Sequence, residues 1–131
     1  MKRRSIEIEG FQHDNPIPSA SRIGPFVVSG AISGKDPQTG KLAEGIEAQC
    51  GLVFAHMRKI IEAASGTTDD ILKITVWLQE GAHRKIVNQE WLKMFPNAES
   101  RPARHTFVNQ ELMGGALVQC EFWAVLNGGK A

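Results

Sequence analysis

Residues 46–66, IEAQCGLVFAHMRKIIEAASG, and residues 71–78, ILKITVWL, decide the fold class of this chain. In the first segment the apolar side chains recur at steps of three and four residues, which is typical of an α-helix with one buried face. They are Ile46, Cys50, Val53, Met57, Ile60, Ile61 and Ala64. Gly66 is predicted to end this helix in a left-handed conformation. In the second segment Leu72, Ile74, Val76 and Leu78 alternate with the other residues, which predicts a β-strand with bulky side chains on both faces.

The remaining sequence predicts a second helix and four further strands. The helix spans residues 83–95, with Val87, Trp91, Met94 and Phe95 facing inward and Pro96 ending it. Strands are predicted at 5–10, 23–30, 104–109 and 116–126, and a turn at Asp36–Gly40. The resulting order, β, β, α, β, α, β, β, predicts a single α/β domain over residues 1–131.

Two helices can cover only one face of the predicted sheet. The other face keeps Trp77 on one strand and Leu117, Trp123 and Val125 on another. An apolar sheet face requires a cover, so we expect a second subunit to supply it.

Composition and charge exclude several classes of protein. Apolar residues make up 42% and the formal net charge is +1, so no strong basic stripe is available for nucleic acid. No apolar run has the length of a membrane span, and residues 5–9 do not form the apolar core of a signal peptide. Cys50 and Cys120 are expected to be buried free thiols. A cytoplasmic protein is therefore predicted.

Two motif-based interpretations fail on spacing. The segment Gly30–Lys35 has three residues between its glycines, and Asp36 stands where a phosphate-binding loop has Ser or Thr. The four histidines, His13, His56, His83 and His105, do not have ligand spacing, so no metal site is predicted.

Arg104 is the best candidate for a functional side chain. On its predicted strand, Arg104, Thr106 and Val108 share one face, and the surrounding apolar residues should bury the guanidinium in part. A partly buried guanidinium requires an anionic partner. That partner is either a side chain, Glu121 or Glu90, or an anionic ligand.

Six segments in the same order along the chain resemble one known family. They are 28–32 (VSGAI), 36–42 (DPQTGKL), 70–78 (DILKITVWL), 87–91 (VNQEW) with Phe95, 101–104 (RPAR) and 115–121 (GALVQCE). The chain resembles the Rid family, also called the YjgF, reactive intermediate deaminase or endoribonuclease L-PSP family. The resemblance covers about residues 19–126.

The resemblance implies a mixed β-sheet backed by two helices, of the chorismate-mutase-like α+β kind, assembled as a homotrimer. It also implies sites in clefts between subunits, where short-lived enamines and 2-imino acids are hydrolysed to 2-oxo acids and ammonia. No cofactor is implied, and the partner is a small carboxylate.

Residue by residue, Arg104 matches the arginine that binds the substrate carboxylate in this family. Gly30 matches a glycine whose backbone lies against the substrate, and Asn88 matches a helix asparagine near the cleft. Thr106 stands where many members have cysteine. These four residues are expected at the site.

The chain departs from the family at two places. Deaminase-type members have a glutamate in the last strand that acts on the attacking water, and here this residue is Gln119. An amide orients water but does not accept a proton, although Glu121 lies two residues further on the same strand face. The chain also has no tyrosine, whereas the family usually has one near residues 17–19.

Three functions remain open from the sequence. The first is an enzyme in which Arg104 binds the carboxylate of an imino acid and Gln119 positions water. The second is a non-catalytic module that binds small carboxylates such as 2-oxo acids, which Gln119 would favour. The third is an RNA-related role, which the neutral charge disfavours.

Overall fold

A computed structural model describes residues 1–11 and 13–127, and it contains a seven-stranded mixed sheet with two α-helices. The predicted fold class is thereby confirmed. The elements are β1 (Arg4–Ile6), β2 (Ala20–Ile23), β3 (Phe26–Ser29), β4 (Ile32–Ser33), α1 (Ile46–Ala63), β5 (Ile71–Leu78), α2 (Arg84–Met94), β6 (Ala103–Val108) and β7 (Val118–Val125). Within these described residues, no helix is long and apolar enough to cross a membrane.

The strand order of the sheet is β1-β2-β3-β7-β5-β6, and the short β4 pairs with β7. Strands β5 and β6 are parallel, so the chain must cross over between them, and α2 forms this crossover. Strand β6 pairs with β5 alone and lies at the edge of the sheet. One side of β6 is therefore free of neighbouring strands, while α2 packs nearby.

One hydrophobic core lies between the two helices and a single face of the sheet. The stripe predicted from the spacing of residues 46–64 is confirmed, since Cys50, Val53, Met57, Ile60 and Ile61 of α1 are almost completely buried. They join the inward residues of β5, β7 and α2 in one cluster, among them Val76, Val87, Trp91, Cys120 and Phe122. Burial of these side chains supplies the main stabilising free energy of the fold.

Helix α1 approaches the sheet so closely that position 34, directly after β4, admits only glycine. A Cβ on Gly34 would lie 2.5 Å from the Cα and carbonyl oxygen of Gln49. Buried Gln49 then joins two distant segments, since its side chain donates to the Ala43 carbonyl and accepts from the Leu117 amide, both at 2.9 Å. The start of β7 is thus tied to α1 by hydrogen bonds as well as by apolar packing.

The predicted strand at 23–30 proved to be wrong in its extent. Its first part belongs to a hairpin, in which β2 and β3 are antiparallel and Ile23 pairs with Phe26. Gly24 has a φ of 55°, and Gly24 and Pro25 form the two-residue turn between the strands. Gly24 and Pro25 interrupt the apolar residues of this segment. Gly-Pro is a turn signal, and it favours a hairpin over one continuous strand.

Two further predictions were wrong for local reasons. They are the regular alternation of the strand at 71–78 and the left-handed conformation of Gly66 after α1. A register irregularity between Ile71 and Lys73 buries Ile71, at 3% exposure, and turns Leu72 outward, at 59% exposure. The left-handed residue after α1 is Ser65, with φ 70°, and not Gly66. Gly66 lies close to other side chains, and a Cβ there would force the ends of Leu126 and Asp70 to shift, since Leu126 Cδ2 would lie at 2.5 Å.

Candidate functional site

The face of β6 that carries Arg104 looks toward α2. In the parallel register Arg104, Thr106 and Val108 pair with Ile74, Val76 and Leu78, whose side chains are buried in the core. Residues paired across neighbouring strands point to the same side of a sheet. The prediction that Arg104 and Thr106 share one face is therefore confirmed, and this face is the one covered by the helices.

The guanidinium of Arg104 is held by two side chains of α2. Its Nη2 donates a hydrogen bond of 2.9 Å to Asn88 Oδ1, and its Cζ lies 4.9 Å from the ring centroid of Trp91. A cation at this distance over an indole face is attracted by the electron-rich ring. Trp91 is itself packed edge-on against Phe95, at 5.0 Å between ring centroids, so the platform under Arg104 is fixed.

No carboxylate in residues 1–11 and 13–127 forms an ion pair with Arg104. Glu90 was one possible partner, but it pairs with Lys93 at 3.1 Å. Glu121, the other, pairs in register with Thr75 on the opposite face of the sheet. Of the two alternatives for the partner of Arg104, an internal ion pair is absent among the described residues, and the ligand alternative is left.

Arg104 keeps donor capacity for an anion. A guanidinium has five N–H donors, and the amide oxygen of Asn88 uses one of them. Burial, followed by the positive charge of nearby Arg84, lowers the pKa of Arg104. The group nevertheless stays charged at neutral pH because an arginine ordinarily loses its proton only above about pH 12.

Gly30 lies three strands away from β6, at the junction of β3 and β4. Its amide donates to the Ser19 carbonyl at 3.0 Å, and the neighbouring Ser29 hydroxyl accepts from the Phe122 amide at 2.9 Å. A Cβ on Gly30 would find only ordinary contacts, with the Pro18 carbonyl at 3.6 Å. The chain's own packing does not require glycine here.

Gln119 and Glu121 lie on the face of the sheet that the helices leave open. They alternate along β7 with Val118, Cys120 and Phe122, which are buried against the helices. Gln119 pairs with Trp77 and Glu121 with Thr75. Arg104 and Gln119 are thus on opposite faces of one sheet, and a single copy of the chain does not bring them together.

The six predicted residues therefore form two groups in this structure. Asn88, Arg104 and Thr106 lie together between α2 and β6, and Gly30, Gln119 and Glu121 lie on β7 or beside it. Sequence reasoning assigned Trp91 to the core and did not single out Arg84. Their spacing from Asn88 could have identified Arg84 and Trp91 as site residues, since residues 84, 88 and 91 share one face of a helix.

The histidines are scattered, and the described part of the chain contains no group of three or more His, Cys, Asp or Glu placed to hold a metal ion. His105 is exposed on the open sheet face. His56 is buried on α1, where its Nε2 lies 2.7 Å from the Lys35 carbonyl and its ring contacts Phe11. Its Nδ1 has no hydrogen-bond partner among the described residues, and burial lowers the pKa of His56.

Both cysteines are buried free thiols, as predicted. Burial raises the pKa of Cys50 to about 12 and also raises that of Cys120. Since the thiolate is the nucleophilic form, neither thiol is reactive at neutral pH.

Together, the mixed sheet, the two helices on one face and an edge-strand arginine without a described carboxylate partner define a class of small α+β proteins. The sequence model described as endoribonuclease L-PSP matches residues 17–126. The chain belongs to this family, the Rid or YjgF family whose motifs are described above.

Three relatives illustrate what the family contains. A RutC family protein of Aquifex aeolicus is 32% identical over 111 residues, covering 84% of this chain and 88% of the relative. Reactive Intermediate Deaminase A of Arabidopsis thaliana is 30% identical, covering 85% of this chain and 59% of the relative. A 2-iminobutanoate/2-iminopropanoate deaminase of Salmonella typhimurium is 30% identical, covering 63% and 65%.

Solved structures agree with the fold. The crystal structure of RidA from an Antarctic Psychrobacter superposes with a TM-score of 0.87 at 27% identity, covering 94% of this chain and 99% of that one. The sheet order and the two covering helices are therefore those of this family.

The buried histidine predicts a pH dependence of stability. Unfolded His56 takes up a proton below about pH 6.5, whereas the lowered pKa keeps the folded side chain neutral. The free energy of unfolding should therefore fall as the pH decreases below about 6.5, by at most about 1.4 kcal/mol per pH unit from this group. Urea unfolding of wild type and His56→Gln between pH 5 and 8 should show a shallower decline for the variant.

His13→Gln is the matched control, since it removes an exposed histidine that lies outside the open sheet face and should retain the wild-type decline. Parallel curves for wild type and His56→Gln would contradict the prediction.

Proposed function

We propose that this protein hydrolyses small 2-imino or enamine acids to 2-oxo acids and ammonia, in a cleft formed between two copies of the chain. The observation that carries this proposal is the guanidinium of Arg104, which is oriented by Asn88 and Trp91 and has no ion pair with a described carboxylate. The names of two relatives, a reactive intermediate deaminase and a 2-iminobutanoate/2-iminopropanoate deaminase, support the reaction class.

Arg104 binds the carboxylate that all these substrates share. A planar guanidinium can pair two nitrogens with two carboxylate oxygens, which also sets the orientation of the ligand. A hydrogen bond to a charged group contributes about 1.5–3 kcal/mol. Asn88 and Trp91 hold the Arg104 guanidinium in place before the ligand binds, so less side-chain entropy is lost on binding.

A second copy of the chain supplies the other half of the site. Gln119 is on the open sheet face, so within one copy it is separated from Arg104 by the sheet itself. That face is apolar and exposed, with Trp123 at 49% exposure and Phe26 and Phe107 about as exposed. Packing this face against the β6 edge of a neighbour both covers the apolar surface and brings Gln119 to Arg104, and a homotrimer closes such a contact into a ring.

The reaction needs water and a path for its protons to the leaving nitrogen. Water adds to C2 of the protonated imine, and one water proton passes to the amino nitrogen through solvent. The C–N bond then breaks as the hydroxyl group loses its proton to the departing ammonia, so the products are the 2-oxo acid and ammonium. Gln119 accepts a hydrogen bond from the water and orients it, and Thr106 adds a hydroxyl beside the carboxylate site. Gly30 leaves the path to C2 without a side chain, while Glu121, roughly 6–7 Å along β7 from Gln119, is the nearest carboxylate on that face.

The alternative function is a module that binds 2-oxo acids or other small carboxylates without turnover. The amide of Gln119 favours it, because a neutral group repels an anionic ligand less than a carboxylate does and does not accept the proton of the attacking water. Calorimetry with 2-oxobutanoate separates the two functions when binding is found in the absence of turnover.

Removal of Arg104 should strongly reduce the activity. With 2-aminoacrylate generated in the assay from serine, wild type should accelerate pyruvate formation above the spontaneous rate. Arg104→Ala should lower kcat/KM by about 10- to 150-fold, which corresponds to the loss of a charge-assisted bond. Arg58→Ala, on the exposed side of α1, is the control and should retain activity.

Absence of acceleration together with tight, Arg104-dependent binding of 2-oxobutanoate would favour the binding module. Absence of both would contradict the carboxylate site.

Gln119→Glu should increase turnover if Gln119 lies at the water. A carboxylate accepts the proton that the amide cannot, and such general-base assistance is worth about 10²- to 10⁴-fold. The increase should appear in kcat, with a pH dependence that wild type lacks, and Gln119→Ala should lower activity. An unchanged rate in both variants would remove Gln119 from the proposed mechanism.

Mixed assemblies test whether the site needs two copies. Arg104→Ala and Gln119→Ala should each be impaired as pure proteins. Co-expressed with different tags and purified through both, they should recover activity, because some sites combine the intact Arg104 of one copy with the intact Gln119 of another. In a homotrimer that carries both tags, one of the three sites is of this kind. No recovery in a verified mixed assembly would contradict the composite site.

A further inference from the structure

A second guanidinium, that of the exposed Arg84, lies beside the space between α2 and β6, here called the groove. Arg84 is four residues before Asn88 and seven before Trp91, so the three side chains form one stripe along α2. The later part of this stripe contacts Arg104. The earlier part lies toward the other end of β6, since a Cβ on Gly81 would be 3.6 Å from Arg84 Nη1 and 3.9 Å from Val108 Cγ2.

The groove therefore has a cation toward each end and neutral polar groups between them. Arg104 and Val108 are four residues apart, which corresponds to about 13 Å along the strand. Thr106 lies between them on the same strand face, and Asn88 lies between Arg84 and Trp91 on the helix.

The two positive charges are close enough to oppose each other. After burial, the charge of Arg84 is the next cause that lowers the pKa of Arg104. In the described ranges 1–11 and 13–127 neither arginine forms an ion pair, and the acidic residues near α2 have other partners: Glu80 lies 3.8 Å from His83 and Glu90 lies 3.1 Å from Lys93. Two neighbouring cations favour a ligand that carries two negative charges.

We infer that Arg84 determines specificity by binding a second anionic group, so that the preferred ligands are dicarboxylic 2-imino acids and their 2-oxo acid products. This inference rests on the proposed function, in which Arg104 binds the carboxylate next to the reacting carbon. The imines of acidic amino acids have a second carboxylate at the end of a short chain. One such chain, with a hydrogen bond of about 3 Å at each end, bridges the two guanidinium groups.

Calorimetry with two ligands of equal chain length tests the inference. The probes are 2-oxoglutarate, a dianion, and 2-oxopentanoate, a monoanion with the same five-carbon backbone. Wild type should bind 2-oxoglutarate about tenfold or more tightly, as expected for one additional charge-assisted contact. Arg84→Gln should remove most of that preference and leave the affinity for 2-oxopentanoate within about twofold.

Lys85→Gln is the matched control, because it removes the same charge from the neighbouring, exposed residue on a different side of α2. It should keep the preference for 2-oxoglutarate. Equal binding of both ligands by wild type, or an equal loss of preference in the Arg84 and Lys85 variants, overturns the role of Arg84. In those cases Arg104-dependent binding of 2-oxopentanoate still supports the carboxylate site on which the proposed function depends, whereas binding of neither ligand overturns both.

Discussion

The position of Arg104 depends on the parallel pairing of β5 with β6. Because parallel strands cannot be joined by a tight turn, the chain between them forms α2, and this helix packs over the edge strand on which Arg104 lies. Asn88 and Trp91 then reach the guanidinium from one side of the helix, by a 2.9 Å hydrogen bond and a 4.9 Å contact with the indole ring. Neither group is an anion, so the cation is oriented without being neutralised.

This arrangement is costly unless a ligand is bound, which is why it indicates function. A partly buried guanidinium beside a second arginine gains little from a neutral amide compared with a carboxylate. An internal carboxylate would stabilise the fold more, but it would also occupy the nitrogens that a substrate needs. Glu121 stands in β7 between the buried Cys120 and Phe122, yet the alternation of the strand directs its side chain to the other face of the sheet.

The same alternation explains why one copy of the chain holds only half of the proposed site. Buried Val118, Cys120 and Phe122 require the helix-covered face, so Gln119 and Glu121 are left on the open face with Trp123. The apolar open face and the separated polar groups are thus two consequences of one pattern. A neighbouring copy that covers the face also completes the proposed site, which links assembly to chemistry.

Much of the fold followed from the sequence. The α1 stripe, the second helix and the shared face of Arg104 and Thr106 were predicted by periodicity, and family membership by six motifs. The errors were local: a Gly-Pro turn divided one strand, and an irregularity in β5 exposed Leu72. The positive φ after α1 belongs to Ser65 and not to Gly66.

The sequence by itself determined which residues face the core, because the buried apolar side chains recur with the period of the helix or strand that carries them. Only the tertiary structure decided that Asn88 and Trp91, and not Glu90 or Glu121, contact Arg104, and that Arg84 lies in the same groove. It also decided that Gln119 lies across the sheet from Arg104. Contacts of this kind depend on strand order, strand register and the path of the crossover helix, which are set by packing between segments distant in the chain.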